Sequence, residues 1–146
     1  MTPFSTLSAA IQAKLQSLSI MAGVAMIQED AGDVPTMIEK ELGRVGMGAL
    51  FGTPDFTNDD PLCDVINAKI KVQILFMEVP TLWRKTVNKP HCADLGQAAS
   101  PALQGLAING FEPLRVLRGE PVVDKEIGAV GLYRLEIETM QIFDAS

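Results

Sequence analysis

Ile66-Asn67-Ala68-Lys69-Ile70-Lys71-Val72-Gln73-Ile74-Leu75-Phe76-Met77 places an apolar residue at every even position and mostly polar ones between. Side chains of a strand point alternately to its two faces, so this stretch predicts a long half-buried strand whose even positions meet a core. A strand of this length belongs to an open sheet, and Pro80 is expected to end it.

Working outward, Leu7, Ile11, Leu15 and Leu18 recur at helical spacing with Lys14 and Gln16 on the other face, which predicts an amphipathic helix near 5–18 capped by Ser5. Val24-Ala25-Met26-Ile27 reads as a short strand. Val34, Ile38 and Leu42 set a second helix, with Asp33 as its cap, Pro35 in its first turn and Gly43 as its stop. Val45 to Gly52 is apolar and glycine-rich, as in a strand packed closely on a neighbour, and Thr53-Pro54 turns the chain out of it. Asn58, Asp59, Asp60 and Pro61 give residues 53–63 the composition of an exposed loop.

The stretch 80–92 has no period and reads as an arm. Leu95, Ala99, Ala102, Leu103 and Leu106 return to helical spacing, with Pro101 expected to kink the helix and Gly96 and Gly105 to weaken it. Leu114-Arg115-Val116-Leu117 and the alternation of Tyr133, Leu135 and Ile137 with Arg134, Glu136 and Glu138 predict two further strands around a Gly119-Glu120-Pro121 turn. The sum is one α+β domain over 1–146: a single mostly antiparallel or mixed sheet with helices packed mainly on one face.

At 146 residues and 47% hydrophobic, the chain suffices for one core that buries roughly 70% of its unfolded surface. Twelve basic against eighteen acidic residues give a net charge of -6, which opposes binding to a nucleic-acid backbone and argues against sequence-specific recognition. An acidic wall past which DNA slides would suit the same charge. Cys63 and Cys92 form no CxxC unit and read as reduced thiols. The first residues lack the basic and apolar segments of a signal peptide, and no stretch approaches the roughly 20 apolar residues of a membrane span. A cytoplasm, or a particle assembled in one, is the expected location.

Reactive constellations are few. His91, Cys92 and Asp94 invite a metal site or a Cys-His pair, but neighbours in sequence seldom converge on one ion, and a loop or helix-cap pair is the expectation. Asp55, Asp59, Asp60 and Asp64 lack the spacing of a calcium loop. Gly43, Gly46 and Gly48 follow a helix and enter a strand, the reverse of a phosphate-binding turn. Trp83 beside Arg84 and Lys85 could stack on a base, yet such a group is more often an interface anchor or part of a small core. Seven methionines suit an adaptable core or contact surface. No catalytic residue, metal ligand or cofactor follows, and a non-enzymatic role is expected.

The passage Ile38-Glu39-Lys40-Glu41-Leu42-Gly43-Arg44-Val45-Gly46-Met47-Gly48-Ala49-Leu50-Phe51-Gly52-Thr53-Pro54, the polar loop, the strand ending Phe76-Met77-Glu78-Val79-Pro80, the arm and a helix from Ala93 to Leu106 together resemble the tail terminator or tail-completion proteins of tailed bacteriophages and prophages. Gly48 and Gly52 depart from the bulkier apolar residues expected there. The resemblance implies a structural virion protein, a ring that is hexameric in expectation, capping the head-proximal end of the tail tube and joining it to the neck. It implies tail-tube and neck proteins as partners, passage of DNA through the ring and no membrane. Within that picture Leu82, Trp83, Arg84 and Lys85 of the arm are the expected subunit or tube contact. Asp55, Asp59 and Asp60 are expected to face a partner or the channel. A head-to-tail connector fits the same size. From a different class, a small cytoplasmic ligand-binding or regulatory domain would hold its pocket between sheet and helices.

Overall fold

The computed structural model describes residues 3–29, 33–58, 62, 65–79, 83, 89–122 and 131–144. The elements run α1 (Pro3–Gln16), a single 3-10 turn (Ser19–Met21), β1 (Ala25–Gln28), α2 (Val34–Val45), β2 (Met47–Phe51), β3 (Asp55–Asn58), β4 (Val65–Glu78), α3 (Cys92–Leu103), β5 (Arg115–Pro121) and β6 (Gly131–Asp144). They form an α+β fold around one mixed, six-stranded sheet in the order β1-β2-β4-β6-β5, with β3 also paired to β4. Among the described residues β1 and β2 pair in parallel and the other pairings are antiparallel.

The alternating stretch forms β4, 14 residues or about 45 Å long. It pairs with β6 along its whole length, from Val65 opposite Asp144 to Glu78 opposite Gly131. Ala68, Ile70, Val72, Ile74 and Phe76 are all but inaccessible, and they meet Leu7, Ile11 and Leu15 of α1 and Leu95, Ala99 and Leu103 of α3 in the main core. Three-residue and four-residue spacing on each helix supplies one apolar stripe, and the sheet supplies the matching face. Among the described residues the opposite face is covered at one end, where Met37, Ile38 and Leu42 of α2 pack with Ile27, Leu50, Met77 and Leu132.

Several local expectations change. Helix α1 already runs from Pro3, so Ser5 lies inside its first turn. Helix α2 is capped as expected, with Asp33 Oδ2 accepting from the Thr36 hydroxyl at 2.8 Å. It passes through Gly43 and stops at Gly46, whose φ of 87° only glycine adopts without strain and whose N–H reaches Leu42 O at 2.9 Å. Gly48 stays within β2, where Leu42 of α2 packs against its bare Cα side.

Asp55 is not in a loop. After Gly52-Thr53-Pro54 the chain returns to the same edge of β4, and Asp55 to Asn58 pair with Lys71 to Ala68. Strands β2 and β3 are thus one strand broken by the turn. Gly119-Glu120-Pro121, expected as a turn, remains in β5 beside β6; the irregularity falls earlier, between Val116 and Arg118. Helix α3 ends at Leu103 rather than Leu106, because Pro101 sits in its last turn and the chain leaves through Gly105 at φ 76°.

Candidate functional site

With α1 and α3 on one face of the sheet and α2 on a corner of the other, no further described element covers the remainder of that second face. Directly opposed residues share a face, so register alone assembles its rows. One row is Asp55, Lys71, Glu138 and Arg115 across β3, β4, β6 and β5. The next is Gln73, Glu136 and Arg118, and a third is Leu75, Arg134 and Glu120. Opposite charges alternate along the rows, a pattern worth a few tenths to about 1 kcal/mol per exposed pair.

The ion pairs follow the rows. Arg115 holds Glu138, Arg134 holds Glu120, and Arg118 reaches both Glu136 and Glu120 at 3.2 Å. The hydrogen bond from Arg134, together with Arg118 nearby, holds the Glu120 carboxyl below the usual carboxylate range; the same bond raises Arg134. Lys69 and Lys71 of β4 have no ion pair among the described residues.

Toward α2 the face dips into a hollow of about 210 Å³ lined by Glu29, Leu50, Gly52, Gln73, Leu75, Val122 and Arg134. The hollow has an apolar floor and polar walls. Arg134 Nε itself is shut away from solvent and has no acceptor among the described residues. A second shallow depression, lined by Ser5, Ser8, Ala9, Gln12, Gln16 and Gln28, lies beside the free edge of β1, where Gln28 donates to Gln12.

Both ends of the predicted arm are tied to the body. Trp83 is 5% exposed and belongs to the main core; its Nε1–H donates to Pro90 O at 2.8 Å, and Lys89 Nζ sits 4.4 Å from the ring centre. The indole is therefore a core anchor of its segment rather than a free contact. Leu82, Arg84 and Lys85 lie outside the described residues, as do Asp59, Asp60 and Pro80. Asp55 is exposed in β3, and Leu62, which follows that strand in sequence, is 95% exposed.

His91 precedes α3 and its backbone N–H donates to Asp94 Oδ2 at 2.9 Å, a helix-cap arrangement. Sequence reasoning missed the third member of this group. Glu78, 2% exposed, accepts from the Cys92 N–H at 3.3 Å and lies 3.2 Å from His91 Nδ1. Its carboxylate closes the N-terminus of α3, where negative charge is favoured. The available signal was an acid at an even, inward position of β4. Burial first, and then the charge of Glu78, push the Cys92 thiol up. Among the described residues no group of three His, Cys, Asp or Glu side chains could hold a metal ion. No described helix is long and apolar enough to cross a membrane.

No protein-family model matches the chain, and no curated protein matches it. A solved structure does: a chain from the virion of a native gene transfer agent particle, with a TM-score of 0.65 and 16% identity, covering 97% of this chain and 99% of that one. The similarity shows a common fold over essentially the whole of both chains.

Proposed function

We propose that this chain is a structural protein of a phage-like particle, and within that class a tail terminator. It forms a ring, expected to be hexameric, that caps the head-proximal end of the tail tube and joins it to the neck. The observation that carries this reading is the shared fold with a gene transfer agent virion chain over almost the full length of both. The sequence resemblance to tail terminators supports the narrower role. The partners are further copies of the chain, tail-tube protein and neck proteins, and the location is the virion, assembled in a bacterial cytoplasm.

Ring closure requires two different patches per subunit that meet by rotation. The open sheet face, the free edges of β1 and β5 and the arm are available for it. Leu82, Arg84 and Lys85 flank the buried Trp83 and are proposed as subunit or tube contacts, with Trp83 holding the segment in place. Asp55, Asp59 and Asp60 are proposed to face a partner or the channel, and the net charge of -6 suits passage of DNA without adhesion. A non-enzymatic role goes with this reading. The space between sheet and helices, where a ligand-binding domain would hold its pocket, is packed with Leu7, Ile11, Leu95, Ile70 and Ile74.

The test is the native mass over a wide concentration range, with negative-stain images of the largest species. Closed rings with a central hole are expected. A monomer or dimer throughout, even with tail-tube protein added, would overturn the reading. Retention of tail-tube protein by the ring supports a terminator, whereas retention of a portal or adaptor would make it a connector.

A further inference from the structure

We infer that the subunits join edge to edge, with β5 of one copy running antiparallel against β1 of the next, so that one sheet passes into another around the ring. The inference rests on the ring reading and specifies its contact.

Strand β1 stands at one end of the sheet order and β5 at the other, so a single chain carries two different outer edges. Ala25-Met26-Ile27-Gln28 holds no charge and no proline, and no backbone group of another described element bonds to its outer side. An edge that bare is a template for a further strand. Strand β5 is open for part of its length. The Val116 N–H already donates to Gln104 Oε1 at 2.8 Å, ahead of the bulge, which leaves the stretch from Arg118 onward for pairing. Pro121 within it lacks a donor and keeps its carbonyl.

Charge selects the match. The row Asp55, Lys71, Glu138 and Arg115 begins with a carboxylate on the β3 side and ends with a guanidinium on the β5 side. The row of Gln73, Glu136 and Arg118 has the same polarity, because Glu29, which follows β1, lays its carboxylate beside Gly52 on this face. Two copies set side by side in one orientation continue the alternation of sign across the joint. Arg118 then meets Glu29, and Arg115 reaches toward Asp55, which lies one strand spacing further in, about 4.8 Å. Asp55 and Glu29 are exposed and have no ion pair among the described residues. Arg115 and Arg118 are held by carboxylates of their own copy, yet their side chains stay 52% and 57% exposed, and a guanidinium offers five N–H groups.

The same polarity disfavours symmetric joints. Pairing like edges would leave Glu29 and Asp55 without a cation, whereas pairing unlike edges satisfies both and fixes the register. A contact between unlike edges propagates from copy to copy until it closes, as a ring requires.

The experiment uses the full-length chain and follows native mass against concentration. Glu29→Arg and Arg118→Glu should each raise the concentration needed for assembly at least tenfold. An equimolar mixture of the two should assemble close to the wild-type concentration, because every joint between unlike copies then pairs opposite charges. Arg118→Gln, which adds no carboxylate beside Glu120 and Glu136, replaces Arg118→Glu if that variant fails to fold, and should also raise the assembly concentration. As a direct readout, Glu29→Cys and Arg118→Cys are made separately in a Cys63→Ser background and mixed under oxidising conditions. A disulfide between the two is expected, and none between Arg118→Cys and Gln97→Cys, which lies on the exposed side of α3. Wild-type rings with variants that assemble like wild type, or with a mixture no better than either variant alone, would overturn this contact and leave the ring. A wild type that stays monomeric even with tail-tube protein added would overturn the contact together with the ring. Intact rings that lose tail-tube protein in these variants would assign the two edges to the tube and would also overturn the contact.

Discussion

Gly96 of α3 lies directly on the ring of Tyr133 in β6: a Cβ at position 96 would stand 2.4 Å from Tyr133 Cδ1. On the other side, a Cβ at Gly119 of β5 would stand 2.7 Å from the Tyr133 hydroxyl oxygen. The ring is therefore slotted between two glycines, and this slot sets how closely α3 approaches the sheet. Gly96→Ala should destabilise the fold by about 1–3 kcal/mol, more than the roughly 1 kcal/mol that alanine gains as a helix former. Denaturant unfolding checks it, and pairing Gly96→Ala with Tyr133→Leu should recover much of the loss. An unaltered midpoint for the single variant would refute the slot.

Trp83→Ala should lower stability by about 3–5 kcal/mol, the usual cost of removing a large buried aromatic. The loss should appear in the isolated subunit by chemical denaturation at concentrations too low for assembly. Unchanged subunit stability, with only assembly impaired, would return the indole to an interface role.

Two glycines three residues apart in sequence should respond oppositely. A Cβ at Gly43 meets nothing within 4 Å in the exposed last turn of α2, so Gly43→Ala should stabilise by up to about 1 kcal/mol. At Gly46 the φ of 87° makes Gly46→Ala destabilising by about 1 kcal/mol or more. Thermal melts of the two variants report the sign, and equal shifts would contradict the helix end assigned here.

The Glu120–Arg134 pair sets a pH dependence. A carboxyl whose folded pKa is lowered contributes stability above its unfolded value, about 4.3, and loses it as pH falls through the folded value. Arg134, raised by the same bond, stays charged throughout. Melting temperature should thus fall on acidification below the ordinary carboxylate range, and less steeply in Glu120→Gln. Identical slopes would show that the pair is too screened to matter.

Cys92 should react slowly with thiol reagents at neutral pH, because burial and Glu78 both disfavour its thiolate. In a Cys63→Ser background, alkylation should speed up at least tenfold on adding denaturant. Rapid labelling of the native protein would place the thiol at the surface.

Most of the architecture was legible because period is a strong signal. The even positions of β4 from Ala68 to Phe76 and the stripes of α1 and α3 are the core, as their spacing required. What escaped has identifiable causes. Asp55-Phe56-Thr57-Asn58 is too short and polar to show alternation, and only its position after a broken strand returns it to the edge of β4. Gly119 looks like a turn residue because glycine is read as punctuation, whereas here it makes room for Tyr133. Trp83 was ambiguous between anchor and core, and tertiary packing decided it.

The surface was less readable than the core. Leu75 and Arg134 occupy outward positions of two strands about sixty residues apart, and nothing local in either strand announces that they share a hollow. Register creates that site. Likewise Glu78 takes on meaning only when α3 begins above it.

The long pairing of β4 with β6 also orders events during synthesis. Strand β4 ends at Glu78, but the strand that covers its entire length begins at Gly131. Until the ribosome has delivered those later residues, β4 keeps one edge bare along some 45 Å, guarded on the other by β2 and β3. Closure of so distant a ladder is slow on the scale of local folding, which makes the nascent chain most vulnerable to pairing with its neighbours in that interval.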